Sequence, residues 1–330
     1  MTSKFKIYVV RPVRGLIVFY IFQSFLVLGR LLPRRLVLGW HGWLAKGVYA
    51  LSKNMQQTII HNLETAYGQE TQKGAYRKLG KQVVVTIAKA FTDYYLMSRL
   101  KSREAFERYF TFEGEEHLKA AYEKGKGVLC LVPHTAGLEF SAIMPPVMGY
   151  KTMGVSSRIH NPWLNRLMIH LRESRGMANI TRDHCFDTLV KRLRQGECLI
   201  IMIDQDSSHI RGEFLQFFGK EAYTPVGCAR LAMATGAPVV PMYTLRNEAD
   251  DTYTFRILPE IPFEQKETAL ETIRYNTQKH NDALEQIVRE HPEQWIWTHR
   301  RWRTTRAYMR QYIIDRKIVV TDYPSASEYQ

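Results

Sequence analysis

A histidine and a glutamate five positions apart have the residue types and spacing that indicate catalysis in this chain. They are His134 and Glu139, in the stretch GVLCLVPHTAGLEF. The apolar run before them predicts a buried strand, Gly137 permits a turn, and a helix is expected to begin near Leu138. The turn would let the two side chains face each other at the end of the strand.

The chemistry that such a pair can perform is proton transfer. A carboxylate that holds a histidine ring fixes its tautomer and stabilises the imidazolium that forms, so the ring becomes a stronger and better oriented base. We therefore predict that Glu139 orients and charge-balances His134. The alternative for the same residues is a loop histidine without a catalytic role. No serine or cysteine is well placed beside His134, which disfavours a covalent enzyme intermediate.

Short apolar runs alternate with amphipathic stretches after residue 109. Strands are predicted at 127–132, 152–156, 198–203, 239–245 and 253–258. Helices are predicted at 115–123, 138–144, 162–172, 185–194, 226–235 and 268–290. This alternation indicates an α/β fold with a mainly parallel sheet flanked by helices. The ends of its strands are the expected place for chemistry.

An apolar run near the N-terminus, residues 15–32, reads GLIVFYIFQSFLVLGRLL. A spanning helix needs about 20 apolar residues, and Gln23, Ser24 and Arg30 interrupt this run. We expect a retained membrane anchor, either a short span or a helix in the interface, with a buried core helix as the alternative. The predicted organisation is an anchor at 1–35, a helical region at 36–109, an α/β domain at 110–317 and a tail at 318–330.

The charge of the chain favours anionic partners. The formal net charge is +14, and the first acidic residue is Glu64, so the apolar run has only basic charge around it. A second basic stretch, at 295–310, is interleaved with tryptophan and tyrosine, which suits lipid headgroups or nucleic acid. The apolar N-terminus favours anionic membrane lipid, and we expect no nucleic-acid partner.

Four cysteines, Cys130, Cys185, Cys198 and Cys228, form no CxxC pair and no zinc-finger spacing with histidine. They are expected to be free thiols in a reducing compartment, with no bound metal.

Several stretches together resemble the lipid A biosynthesis (lauroyl/myristoyl) acyltransferase family, within the wider His-x4-Asp/Glu glycerolipid acyltransferase group. They are PHTAGLEF at 133–140, IMIDQD at 201–206, GEFLQFFGKEAYTPVGCARLAMATGAPVVPMY at 212–243 and HPEQWIWTHRRWR at 291–303. Together with the N-terminal run, the resemblance covers most of the chain. The Gly-Thr-Arg phosphate motif of the simpler glycerol-phosphate acyltransferases is absent from the sequence.

The resemblance implies a role for each matching position. His134 would deprotonate an acceptor hydroxyl, and Glu139 would support it. Arg182 would bind phosphate or carboxylate of the acceptor. Asp204 and Asp206 would border the site, although one of them is also expected to cap the turn after its strand. Further candidates for headgroup or carrier contacts are Arg158, Arg300 and Arg301.

The implied reaction is direct transfer of a fatty acyl chain to a hydroxyl of a lipid A precursor, at the cytoplasmic face of the bacterial inner membrane. The expected donor is a thioester of acyl carrier protein, with acyl-coenzyme A as the alternative, and no cofactor is expected. Two alternatives remain open: acyl transfer to a lysolipid, aminoacyl lipid or glycolipid, and a non-catalytic membrane-attached protein that binds anionic lipid or nucleic acid.

Overall fold

The computed structural model describes residues 29, 31–68, 73–156, 159, 161–181 and 185–316. Most of the predicted anchor at 1–35, and the whole predicted tail at 318–330, lie outside these residues. In the described part of the chain, none of the helices has the length and apolar composition needed to cross a bilayer. The proposed domain boundaries stay predictions.

The helices and strands follow each other in a mainly alternating order. The helices are α1 Arg34–Leu51, α2 Lys53–Tyr67, α3 Lys73–Leu96, α4 Arg103–Phe106, α5 Glu115–Tyr122, α6 Leu138–Val147, α7 Pro162–Glu173, α8 Phe186–Arg194, α9 Gly227–Thr235, α10 Ala269–Glu290 and α11 Arg306–Arg316. The strands are β1 Phe110–Glu113, β2 Val128–Leu131, β3 Thr152–Ser156, β4 Met177–Thr181, β5 Cys198–Ile201, β6 Gly212–Phe217, β7 Lys220–Pro225, β8 Val239–Asn247 and β9 Thr252–Ile257.

One seven-stranded sheet, in the order β1-β9-β8-β2-β5-β3-β4, forms the centre of the molecule. Every neighbouring pair in it is parallel except β8 and β9. The prediction of an α/β fold with a mainly parallel sheet is therefore confirmed. Since β2 and β5 are central neighbours, whatever follows either strand emerges at the same edge of the sheet.

Each face of the sheet packs against helices, because alternate residues of a strand point to opposite faces. Along β2, Val128 and Cys130 enter the apolar cluster that contains α3, α5, α6 and α7 residues. Leu129 and Leu131 enter the cluster formed with α8, α9 and α10. Strands that are apolar on both sides are typical of a buried parallel sheet.

The predicted helical region contains α1, α2 and α3, which do not stand apart from the sheet domain. Ile59 and Val83 share an apolar cluster with Phe217, Trp295 and Trp297 of the sheet domain. Buried Asn62 of α2 donates to the carbonyl oxygens of Trp297 at 2.7 Å and of His299 at 2.6 Å. The helices thereby fix the chain segment that follows α10.

Strands β1 and β4 and the antiparallel β6–β7 hairpin are not among the predicted strands. β1 and β4 are the edge strands of the sheet. Each is only four or five residues long and lies close to a helix, so an apolar alternation has little length in which to show. The predicted strand at 198–203 ends earlier, at Ile201, and its last residues lead into the turn that carries Asp204.

Candidate active site

His134 lies three residues beyond the end of β2, and Asp204 lies three residues beyond the end of β5. The two strand ends, Leu131 and Ile201, are paired in register. The equal spacing brings both side chains together at one edge of the sheet. His134 Nδ1 is 2.6 Å from Asp204 Oδ1, and the backbone N–H of His134 donates to Oδ2 at 2.7 Å.

Asp204 is buried and fully engaged as an acceptor. The indole N–H of Trp295 donates to its Oδ2 at 2.7 Å. Burial by itself would raise the pKa of Asp204, but the positive charge and hydrogen bonds of His134, together with Trp295, lower it to about 2. Asp204 is therefore a carboxylate at neutral pH.

The ionised carboxylate determines the tautomer of the histidine ring. A carboxylate can only accept a hydrogen bond, so the hydrogen between the two groups resides on Nδ1 of His134. In the neutral ring, Nε2 then keeps its lone pair. The His134 side chain retains a partly exposed surface, whereas that of Asp204 has none. This arrangement is that of an oriented base which a substrate can approach.

Backbone contacts from the segment after α10 hold the loop that carries His134. The carbonyl oxygen of His134 accepts from the N–H of Ile296 at 3.0 Å, and Thr135 forms a bridge with Trp295. Gly137 passes so close to β8 that an added Cβ would lie 2.5 Å from the carbonyl oxygen of Thr244. Any larger residue there would displace the turn between the histidine and α6.

Glu139 has a partner other than the predicted one. Both of its carboxylate oxygens accept from the guanidinium of Arg172 on α7, at 2.6 and 2.9 Å. The pair is mostly buried between α6 and α7. The prediction that Glu139 holds the ring of His134 is wrong for this structure, because the carboxylate on the ring is Asp204. The two residues are only five positions apart in the sequence, and a turn between them was expected to bring their side chains together. In the structure, α6 directs the side chain of Glu139 toward α7 instead.

Asp206 and Arg301 contact protein groups rather than an open surface. Asp206 accepts from the N–H and the hydroxyl of Thr304, at 2.7 and 2.6 Å, and from Arg303 at 3.3 Å. Arg301 is fully buried and donates to Tyr223 O at 2.7 Å and to the Thr224 hydroxyl at 2.6 Å. Its burial lowers its pKa to about 10.

The structure therefore corrects the predicted contact of Arg301 with a headgroup or carrier. Trp295 and Trp297 are buried as well, so part of the basic-aromatic stretch is core. Arg300 remains exposed and available to an anion. Arg158 and Arg182 lie outside the described residues.

An open cleft of about 900 Å³ lies on the β6–β7 hairpin and the first half of α10. Its lining includes Phe214, Leu215, Lys266, Arg274 and Tyr275. None of the described residues that line this cleft belongs to the strand-end site. The position of the cleft therefore does not mark the place where His134 and Asp204 meet. The polar convergence on His134 is the stronger signal.

Asp204 was predicted to border the site, whereas Trp295 and Arg172 were not predicted as the partners of the two carboxylates. The sequence around β2 and β5 could have indicated Asp204, because each apolar strand is followed at the same distance by a polar residue. Two adjacent parallel strands with polar residues at equal distances from their ends bring those residues together. Trp295 lies in the segment after α10 and Arg172 lies on α7, both far from the site in sequence, and the packing that brings them there has no local sequence signal.

Comparison with known proteins finds one family over nearly the whole chain. A family model described as bacterial lipid A biosynthesis acyltransferase matches residues 2–304. The lipid A biosynthesis acyltransferase of Haemophilus influenzae is 25% identical over 60% of this chain and 60% of that protein. The lipid A biosynthesis palmitoleoyltransferase of Escherichia coli strain K12 is 28% identical, over 60% of this chain and 62% of its own length.

A relative with another printed substrate also matches. The phosphatidylinositol mannoside acyltransferase of Mycobacterium tuberculosis is 25% identical over 57% of this chain and 58% of that protein. The chain thus spans about three fifths of the length of each of these relatives. Among solved structures, the 1-acyl-sn-glycerophosphate acyltransferase of Thermotoga maritima covers 80% of this chain and 100% of its own, with 13% identity and a TM-score of 0.36.

Proposed function

We propose, from the premise that this chain belongs to the bacterial lipid A biosynthesis acyltransferase family, that it transfers a fatty acyl chain to a hydroxyl of a lipid A precursor with His134 as general base. The chain is an O-acyltransferase of lipid A or related lipid biosynthesis. The observation that supports the mechanism is the contact of 2.6 Å between His134 and the buried carboxylate of Asp204.

The proposed step begins with the lone pair on Nε2 of His134. Nε2 accepts the proton of the acceptor hydroxyl as its oxygen attacks the carbonyl carbon of the thioester. The C–S bond then breaks, and the imidazolium returns the proton to the departing thiolate. The products are an ester and a free thiol. Asp204 stabilises the imidazolium while it exists, because its negative charge lies directly against Nδ1–H.

Glu139 has a supporting role in this proposal. Its bond to Arg172 ties the first turn of α6 to α7, and α6 follows the loop of His134 directly. The pair also neutralises a mostly buried guanidinium, which is costly to leave unpaired. We propose that Glu139 and Arg172 position the loop without touching the ring of His134.

Acyl carrier protein is the proposed donor, and an anionic membrane the proposed location, at the cytoplasmic face of the bacterial inner membrane. The support is the net charge of +14 and exposed basic residues such as Arg300, since acyl carriers and anionic lipids are both acidic partners. An exposed charge-charge contact weakens with salt. Raising the ionic strength is therefore expected to lower the rate with an acyl carrier protein donor.

The acceptor is proposed from the family, and a membrane glycolipid is the second candidate. The mannoside acyltransferase relative favours this alternative, because it belongs among the same matches. The two candidates share the chemistry of a sugar hydroxyl and differ in product.

A transfer assay tests the proposal. Purified protein would be given acyl carrier protein or coenzyme A thioesters and either a lipid A precursor or a phosphatidylinositol mannoside, with products identified by mass spectrometry. We expect transfer to the lipid A precursor, and a fall of about 10²–10⁴-fold for His134→Ala. Full activity of His134→Ala would refute the role of His134 as the base, and the exposed His61 on α2 provides a control as His61→Ala. A folded protein that transfers to neither acceptor but binds anionic lipid would favour the non-catalytic alternative.

A further inference from the structure

Helix α1 presents an apolar stripe to the outside of the molecule. The exposed large apolar residues on it recur at helical spacing: Leu36, Trp40, Trp43, Leu44, Val48 and Leu51. Trp43 is 62% exposed, Leu36 63% and Val48 53%. Most of the exposed large apolar side chains of the described residues lie on α1 or directly before it, at Leu31 and Leu32.

The opposite face of α1 is ordinary core, which shows that the stripe is not a misplaced interior. Leu38, Ala45 and Tyr49 are buried there. Gly42 lies so close to α3 that an added Cβ would come within 3.2 Å of Lys89 Cε and 3.5 Å of Val85. One face of α1 therefore packs on α3, while the apolar side chains of the other face contact no part of the described protein closely enough to be buried.

The composition of the stripe favours a lipid bilayer over another protein. Trp40 and Trp43 are stacked with ring centroids 5.3 Å apart, and tryptophan prefers the depth of the headgroups. Exposed basic residues accompany them at Arg35, Lys46 and Lys53, and no acidic residue precedes Glu64. Two copies of this surface would oppose basic charge to basic charge, whereas an anionic lipid surface complements it.

An ion pair between partly buried Arg34 and a buried carboxylate fixes the angle of α1 on the molecule. Arg34, its first residue, donates to both carboxylate oxygens of Asp93 on α3, at 2.6 and 2.7 Å. The hydroxyl of Tyr253 on β9 donates to the same carboxylate at 2.7 Å. The side chain of Asp93 has no exposed surface. The stripe is thus rigidly oriented relative to the sheet, not attached through a flexible tether.

We propose that α1 lies in the headgroup region of an anionic bilayer with its apolar stripe inserted, as a docking surface separate from the predicted anchor at 15–32. The helix runs parallel to the membrane surface, with Trp40 and Trp43 at the boundary between headgroups and acyl chains. The Arg34–Asp93 pair then sets how the strand-end site faces the bilayer. This inference concerns binding alone and does not depend on the proposed reaction.

The test is quenching of tryptophan fluorescence by brominated lipid. The full chain would be bound to vesicles of phosphatidylethanolamine and phosphatidylglycerol whose acyl chains carry bromine close to the headgroups. Of the six tryptophans, Trp40 and Trp43 are exposed on α1, while Trp295 and Trp297 are buried in the core. We expect quenching in the wild type and its loss in Trp40→Phe/Trp43→Phe, which still floats with the vesicles because phenylalanine keeps the stripe apolar.

Trp163→Phe is the matched control, since Trp163 is partly exposed on α7 and off the stripe. Brominated lipid should quench the tryptophan fluorescence of this variant as strongly as that of the wild type. Vesicle-bound wild type without quenching would overturn the proposal, and so would equal quenching in Trp40→Phe/Trp43→Phe. In the first case sedimentation would show whether a second copy covers the stripe or the chain's own N-terminal segment does. If the protein bound equally well to vesicles with and without phosphatidylglycerol, the proposal that the surface is anionic would be overturned.

Discussion

Two acidic residues lie near His134 in the fold, and they differ in what they contact. Asp204, at the end of β5, binds the histidine ring and its backbone N–H and receives Trp295. Glu139, on α6, binds Arg172 with both oxygens. The carboxylate at the strand ends therefore orients the ring of His134, whereas the carboxylate between α6 and α7 neutralises the guanidinium of Arg172. Closeness in sequence favoured Glu139 as the partner, but strand order favours Asp204.

The largest effect that separates the two regions is expected from Asp204→Asn. An amide can bond Nδ1 of His134 in the wrong tautomer and cannot stabilise the imidazolium. We expect kcat/KM to fall by about 10²–10⁴-fold while the protein stays folded. The measurement is steady-state acyl transfer, with circular dichroism as the folding control. Activity within a few-fold of wild type would remove Asp204 from the mechanism.

Asp206 sharpens the comparison because it lies two residues from Asp204 and has a different partner. Its bonds to the N–H and hydroxyl of Thr304 are buried, so Asp206→Ala leaves those donors unsatisfied. We expect the free energy of unfolding to fall by about 2–3 kcal/mol. Chemical denaturation would measure it. A variant as stable as the wild type would show that these bonds contribute little.

His280 on α10 is a buried histidine, and its surroundings differ from those of His134. Its Nδ1 has no hydrogen-bond partner among the described residues, and burial lowers its pKa to about 4. The unfolded chain then binds more protons than the folded one between pH 4 and 6.5, so stability is present above pH 6.5 and is lost as pH falls toward 4.

From pH 7 to pH 5 this loss is about 2 kcal/mol. Denaturation at both pH values should show that the stability of His280→Gln falls by about 2 kcal/mol less than that of the wild type between pH 7 and pH 5. His61→Gln, at an exposed position of α2, should retain it. An unchanged pH dependence in His280→Gln would mean that folding does not shift the pKa of His280.

The smallest effect is expected from Glu139→Gln. Glutamine keeps the shape and a hydrogen bond to Arg172, so we expect kcat/KM to fall only about tenfold. The double variant Glu139→Gln/Arg172→Gln should be no worse than the more impaired single variant, because the two residues act as one pair. A loss as large as that of Asp204→Asn would return Glu139 to a direct role at the ring.

Much of the fold could be predicted from the sequence, because apolar runs and amphipathic stretches alternate over long windows. The strand at Thr152–Ser156 and the helices from Pro162 and Ala269 lie within a residue or so of their predicted bounds. The edge strands and the β6–β7 hairpin could not, since their pairing partners are what stabilise such short segments.

For the site, the sequence indicated His134 but not its partner. The choice between two nearby carboxylates depends on which strands are neighbours, and that is a property of the whole sheet. The interior position of Arg301 was equally hidden. An arginine between tryptophans suits a headgroup and also a buried network, and only the packing around Tyr223 and Thr224 decides between them.

The contact between His134 and Asp204 is tested most directly by the ¹H–¹⁵N NMR spectrum of the His134 ring, assigned by its loss in His134→Gln. We expect a proton on Nδ1 that is shifted far downfield and slow to exchange, that disappears in Asp204→Asn and that persists in Glu139→Gln. A ring that is protonated on Nε2, or a Nδ1 proton lost with Glu139 and kept without Asp204, would contradict this expectation.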